Sequence, residues 1–300
     1  MKELKFGRRS TADHVLAGLD LTGKRMLVTG CSSGIGLELM NAFAANGATV
    51  IGLARTQEAA SRACAAASPR CIPIACDLAN FDSVAAASAA VRDLKFSLDA
   101  IVANAGVANL AALQTRYGVE MQFLTNHIGH FALVNGLVDL MRDGGGRVVI
   151  VSAGASIRAA PKEGLLFDNL DGARFYEPAA FYAQSKLANA LYAKELSRRL
   201  DGRGIAVNSA DPGAARTKLN RRFATRLFAK TAAQAAATLA LLAASPRAAG
   251  ITGEYWRDCK ISEGNALLDD AALAARLWSV SQQILDDRQE RCDLSLLQAA

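Results

Sequence analysis

The chain has 300 residues, 51% of them hydrophobic, with only six prolines and a formal net charge of +6. That is enough apolar material for one large core, and α/β architectures reach this size as a single domain. The basic residues are scattered among acids, which argues against nucleic-acid binding. The longest uncharged run, residues 231–246, would reach only about 24 Å as a helix against the roughly 30 Å of a bilayer, so it is read as a packing helix and not a membrane span.

The N-terminus, "MKELKFGRRS", carries no secretory pattern, and the six cysteines form no CxxC pair or metal-like spacing. Both point to a cytoplasmic protein with reduced thiols. From there, short β-branched runs alternate with alanine-rich helical stretches. Residues 25–30 precede a helix over 36–47, 48–54 precede 56–67, 71–77 precede 82–94, and 98–106 precede a long helix expected to reach about Met141. Residues 147–152 are followed by a longer loop, a helix around 183–200 and a further strand at 204–210.

Strands buried on both faces read as continuous apolar runs, and short connections between them leave right-handed crossovers. The expectation is an α/β, doubly wound parallel sheet (a Rossmann fold) with helices on both faces, in one domain over residues 21–285. Residues 1–20 and 286–300 read as appendages. Ligands of such sheets bind beyond the carboxyl ends of the strands.

After the first strand comes "TGCSSGIG", in which Gly30, Gly34 and Gly36 open a helix. Glycine permits a tight turn and close approach of backbone to a pyrophosphate, which the helix N-terminus attracts. No Lys-Ser/Thr follows, so this is not a nucleotide-triphosphatase loop. The second strand ends at Arg55, where an NAD site would place a carboxylate. A guanidinium there favours the 2′-phosphate of NADP, the alternative being an ordinary surface arginine.

In "YAQSK", Tyr182 and Lys186 stand four apart, on one face of a helix. An adjacent ammonium favours a phenolate, so the pair is expected to act as a proton switch with a lowered phenol pKa. Alone, such a pair is an ordinary surface pair; its place after the fifth strand, beside the expected crevice, makes it a candidate.

Together "TGCSSGIG", "NAG" at 104–106, Asn126 in "TNHIGHF", "YAQSK" and "DPG" at 211–213 resemble the short-chain dehydrogenase/reductase superfamily, in order and spacing. "FGRRSTADHVLAGLDLTGKRMLVTG", "NHIGHFALVNGL", "GEYWRDCK" and "ARLWSVS" look like its branch of retinol dehydrogenases, WW-domain oxidoreductase and protochlorophyllide reductase, over about residues 6–285. The resemblance implies that Gly30, Ser32, Ser33, Gly34, Ile35 and Gly36 hold the pyrophosphate and adjacent ribose of NADP(H), and Arg55 its 2′-phosphate. Asp77 and Leu78 would border adenine, Asn104, Ala105 and Gly106 the ribose side, and Pro212, Gly213 and Thr217 the nicotinamide. Tyr182 would exchange the proton, Lys186 would bind ribose and tune Tyr182, and Asn126 would organise a water relay. Many relatives pair through helices flanking the fourth and fifth strands, which implies a homo-oligomer.

One family feature is missing. The serine that polarises the substrate carbonyl falls here on Ala153, in "VSAGAS". Ser152 should face the other way, because successive strand residues alternate. Ser156, three residues into the loop, is the better candidate for a replacement hydroxyl.

Residues 214–230 include Leu219, Phe223 and Leu227 at i, i+4, i+8 among basic residues such as Lys230. This amphipathic helix is expected to be a lid over a hydrophobic substrate, with an ordinary packing helix, a shallow membrane-surface contact or an anionic carrier on the substrate as alternatives. His127 and His130 lack further ligands nearby and are read as packing residues, not metal ligands. The expected function is NADP(H)-dependent interconversion of a carbonyl and an alcohol on a hydrophobic small molecule. The alternative is a non-catalytic NADP-binding protein.

Overall fold

The computed structural model describes residues 6–217 and 229–299. Its centre is an eight-stranded sheet. The strands are β1 (Arg25–Thr29), β2 (Thr49–Ala54), β3 (Cys71–Ala75), β4 (Ala100–Ala103), β7 (Arg147–Val151), β8 (Ala206–Asp211), β9 (Tyr255–Arg257) and β10 (Lys260–Ile261). Their order is β10-β9-β8-β7-β4-β1-β2-β3, parallel throughout except for the antiparallel β9–β10 pair. The order reverses between β1 and β4, which is where a doubly wound sheet opens a crevice.

Alternation along the strands fills two cores. Val28, Val50, Val102 and Val149 point to one face. There they meet α1 (Ala12–Leu16), α2 (Gly34–Ala45), α3 (Gln57–Ala67) and α9 (Ala232–Ala244). Their neighbours Leu27, Ile51, Ile101 and Ile150 point to the other face. That side carries α4 (Phe81–Asp93), α6 (Gly129–Asn135) and α8 (Pro178–Arg199).

Most helices start on a capping side chain: Thr11 for α1, Thr56 for α3, Asn80 for α4, and a reciprocal Thr231–Gln234 capping box for α9. Each supplies an acceptor to a backbone N–H that has no partner within its helix.

Three segments differ from the sequence-based expectation. The stretch read as one helix up to Met141 first forms a hairpin, β5 (Thr115–Arg116) and β6 (Val119–Glu120), turning on Tyr117 and Gly118 with φ of 57° and 72°. Two consecutive positive φ values are the signature of a two-residue hairpin turn. The helix that follows, α5 (Met121–Phe123) running into α6, is widened between them by a π-turn over Leu124–Ile128 and ends at Asn135. Within the first twenty residues, α1 buries Ala12, Val15 and Leu16 against α9, so that stretch joins the core.

At the other end, α10 (Ala271–Ala299) is one continuous helix that lies on α8. Trp278 meets Phe131 edge-on at 4.9 Å, and Arg199 covers its ring at 4.0 Å. The apolar face of α6 and α8, expected to make a subunit contact, is thus covered by the chain's own helix. Among the described residues no helix is long and apolar enough to cross a membrane.

Candidate active site

At the carboxyl ends of β1–β4 lies a cavity of about 510 Å³. Its floor is the glycine loop. Gly30 has φ +73°, and its N–H donates to the Leu53 carbonyl at 2.8 Å, which folds the loop back over β2. A Cβ on Gly36 would stand 2.3 Å from the Gly30 carbonyl oxygen and 2.7 Å from Asn104 Nδ2. Only glycine allows that approach. Ser33 occupies the cap position of α2 but makes no side-chain capping bond, so the first N–H groups of this helix stay open toward the cavity.

Gly30, Ser32, Ser33, Gly34, Ile35, Arg55, Asp77, Leu78, Asn104, Ala105, Gly106 and Thr217 line this cavity. Gly36 lies beneath, in the backbone contact just described. Arg62, not singled out from the sequence, also lines the cavity; it lies on α3, seven residues beyond Arg55.

Thr29 ties the walls to one another. Its Oγ1 accepts the N–H groups of Asn104 and Ala105 at 2.8 and 2.9 Å, which leaves its own proton for His130 Nε2 at 2.9 Å. The other ring nitrogen of His130 then donates to the Asn126 carbonyl at 2.9 Å. Burial lowers the His130 pKa to about 4, and the neutral ring fits these roles. His127 is likewise buried, against Phe123 and Tyr192, with Nε2 on Ser281. Both rings are buried and bonded within the fold, and among the described residues no group of three or more His, Cys, Asp or Glu is placed to hold a metal ion.

Asn126 sits in the π-turn. Its Nδ2 donates to the Val107 carbonyl and to Ser185 Oγ, both at 2.9 Å, and its Oδ1 accepts Val107 N–H at 2.8 Å. It therefore clamps the turn after β4 to α8. A Cβ on Gly106 would lie 2.9 Å from Asn126 Oδ1 and 3.5 Å from Lys186 Nζ, so cavity wall, amide and ammonium meet at one point.

Lys186 is buried, donates to the Val151 carbonyl at 3.1 Å, and has its pKa lowered to about 8 by desolvation. Its Nζ is 5.9 Å from the Tyr182 ring centre. The expected lowering of the Tyr182 pKa is absent: burial first, and the nearby Asp211 carboxylate second, push the phenol up. Lys186 does not offset them, because its ammonium points to the strand end and Asp211 supplies a like charge to the phenolate.

Ser152 is buried, and its hydroxyl donates to the Lys186 carbonyl at 2.7 Å and lies 3.4 Å from Ser156 Oγ. Ser156 is buried, and its hydroxyl donates to the Ala153 carbonyl at 2.7 Å. Ala153 itself is only partly buried.

At the end of β8, Asp211 Oδ1 accepts Gly213 N–H at 2.8 Å, and Gly213 takes φ +80° to turn the chain after Pro212. Thr217 and Lys230 stand at the two edges of 218–228, and Lys230 N–H donates to the Ala214 carbonyl. Leu219 and Phe223, with most of the expected lid, lie outside the described residues. Lys230 is not on a solvated basic face: it is 3% exposed and paired with Asp258 at 2.6 Å.

The family model for short chain dehydrogenases matches residues 24–164. A chloroplastic short-chain dehydrogenase, TIC 32 B of Brassica napus, is 34% identical, with 94% of each chain aligned. Retinol dehydrogenase 14 of Homo sapiens is also 34% identical, covering 87% of this chain and 85% of its own. A crystal structure from Mycobacterium paratuberculosis superposes with a TM-score of 0.77 at 28% identity, covering 91% of this chain and 96% of that one.

Proposed function

The chain belongs to the short-chain dehydrogenase/reductase family, and from that premise we propose that it is an NADP(H)-dependent oxidoreductase interconverting a carbonyl and an alcohol on a hydrophobic small molecule. The observation that carries this reading is the meeting of cavity wall, Asn126 and Lys186 at Gly106, with Tyr182 on the same face of α8 as Lys186.

The dinucleotide fits the residues present. Residues 30–36 offer a crowded glycine turn and an uncapped helix start for the pyrophosphate, and Arg55 with Arg62 gives a basic end for the 2′-phosphate. Asp77 and Leu78 would border the adenine, Asn104 to Gly106 the ribose, and Pro212, Gly213 and Thr217 the nicotinamide. When bound, the cofactor supplies or accepts the hydride.

The protein's own residues handle the proton. Tyr182 holds a proton for the substrate oxygen, and its raised pKa keeps the phenol protonated at neutral pH, the state a reductase needs. Lys186, whose ammonium burial makes easier to deprotonate, would bind the ribose hydroxyls of the bound cofactor and pass protons from the Asn126 side. Ser156 braces the loop at Ala153. The thiols described are all free, which suits a reducing compartment such as the cytoplasm.

The test is NADPH oxidation, followed by absorbance, over a panel of diketones and aldehydes. Turnover lost in Tyr182→Phe is the expected result. Tight NADPH binding with no turnover across the panel would favour a non-catalytic binding protein instead.

A further inference from the structure

The motif "GEYWRDCK" has no part in the function proposed above, yet it forms the β9–β10 hairpin beside the end of β8. Arg257 pairs with Lys260, so the turn consists of Asp258 and Cys259 alone, with φ of 52° and 62°. A turn of this kind favours glycine at its second position, and the cysteine there sits in the left-handed region at a cost. Cys259 N–H donates to Thr238 Oγ1 on α9 at 3.0 Å, which ties the turn to the helix.

Two consecutive hairpin residues reach the turn at 211–213. Arg257 lies opposite Asp211 in the sheet, with Nε 3.5 Å from Asp211 Oδ2, while Oδ1 of that carboxylate accepts Gly213 N–H at 2.8 Å. Asp258 pairs with Lys230 Nζ at 2.6 Å, and Lys230 is buried. The Lys230 side chain lies across Gly213: a Cβ on that glycine would stand 3.3 Å from Cε and 3.5 Å from Nζ.

The backbone of Lys230 leads to the cavity by a second route. Its N–H donates to the Ala214 carbonyl at 2.8 Å and its carbonyl accepts Arg216 N–H at 2.9 Å, a parallel bridge centred on Ala215. Thr217 follows, its N–H donating to the Ala215 carbonyl at 3.0 Å. Thr217 lines the cavity, and a Cβ on Gly34 in the glycine loop would stand 3.2 Å from its Cγ2. Printed side by side, these contacts run from the hairpin through one lysine to both Gly213 and Thr217.

A buried ion pair is weak evidence for stability, because apolar residues of similar volume often serve as well. It does fix position: a buried ammonium parted from its carboxylate is costly, so Lys230 stays where Asp258 is. We propose that Lys230 and Asp258 are positioning residues of the cofactor site, their ion pair holding Gly213 and Thr217 in place for the nicotinamide half of the dinucleotide. This rests on the NADP(H) reading above. Neither residue touches the cofactor; both act through the 211–217 segment.

The experiment titrates NADPH and adenosine 2′,5′-bisphosphate, which has the adenine half alone, into the full chain and into Lys230→Met, Asp258→Asn and the double variant. Thermal melts first establish which variants fold; should Lys230→Met fail, Asp258→Asn carries the test, since asparagine keeps the shape and tolerates a positive φ. Each single variant is expected to raise the NADPH Kd about tenfold, what one or two misplaced hydrogen bonds cost, with the bisphosphate Kd changed by less than about twofold. The double variant should lose no more than about the larger single loss, because the two side chains act as one pair. Equal weakening of both ligands would mean a general loosening of the fold and overturn the proposal. So would an unchanged NADPH Kd in folded variants, or single losses that multiply in the double variant. If the unmodified chain binds both ligands, those outcomes refute the Lys230–Asp258 assignment alone; if it binds neither, the NADP(H) reading falls and this assignment with it.

Discussion

Acidifying the protein from pH 7.5 to 5 should remove about 4 kcal/mol of folding stability, and the cause lies in two buried histidines. Burial lowers the pKa of His127 to about 3 and that of His130 to about 4, from an ordinary value of 6.5. A base with a lowered folded pKa contributes stability that is complete above its unfolded pKa and is lost as pH falls toward the folded value, because only the unfolded chain takes up the proton. Over this window each ring loses roughly 1.5 pH units of linkage at about 1.36 kcal/mol per unit. Lys186, lowered to about 8, exerts its linkage above this window. Asp99, whose carboxyl is held down by Arg25 N–H, Lys24 and Arg142 against its burial, acts below it. Glu120, pushed up by burial, works in the opposite sense and trims the total. Denaturant unfolding at pH 7.5, 6 and 5 measures the effect, against a typical total stability of about 5–15 kcal/mol. In His127→Phe, which suits a pocket already lined by Phe123, Phe131 and Tyr192, the loss should fall to about half. Stability that is flat across the window, or a slope untouched by the substitution, would refute the reasoning.

Two further expectations follow from packing and charge. Arg55→Ala should reduce the preference for NADP over NAD at least about tenfold, part of the grip remaining with Arg62, as titration calorimetry with both dinucleotides would report. An unchanged ratio would remove the 2′-phosphate assignment. Trp278→Ala should cost about 3 kcal/mol, the low end for an aromatic truncation because the ring is only partly buried, and it should uncover the α6/α8 face. Denaturation and sedimentation velocity would show a less stable protein that self-associates more; an unaltered unfolding midpoint would mean that α10 does not hold this face closed.

The amino-acid sequence by itself determined the layered sheet, the glycine turn at residues 30–36, the arginine after β2 and the absence of a hydroxyl at Ala153. These are local facts: alternation of period two, helical period, a positive φ that glycine alone adopts cheaply, and identity at a strand end. The tertiary structure alone decided the charge on the rim. Burial of Tyr182 first, and then the Asp211 carboxylate from 29 positions along the chain, turn an expected fall in phenol pKa into a rise. The same holds for α10, whose weak amphipathic pattern does not say that it will lie on α8, and for α1, which enters the core through α9. Periodicity records which neighbours along the chain share a face; a Coulomb interaction depends on the distance between side chains from different elements, and that is fixed only once the sheet has assembled.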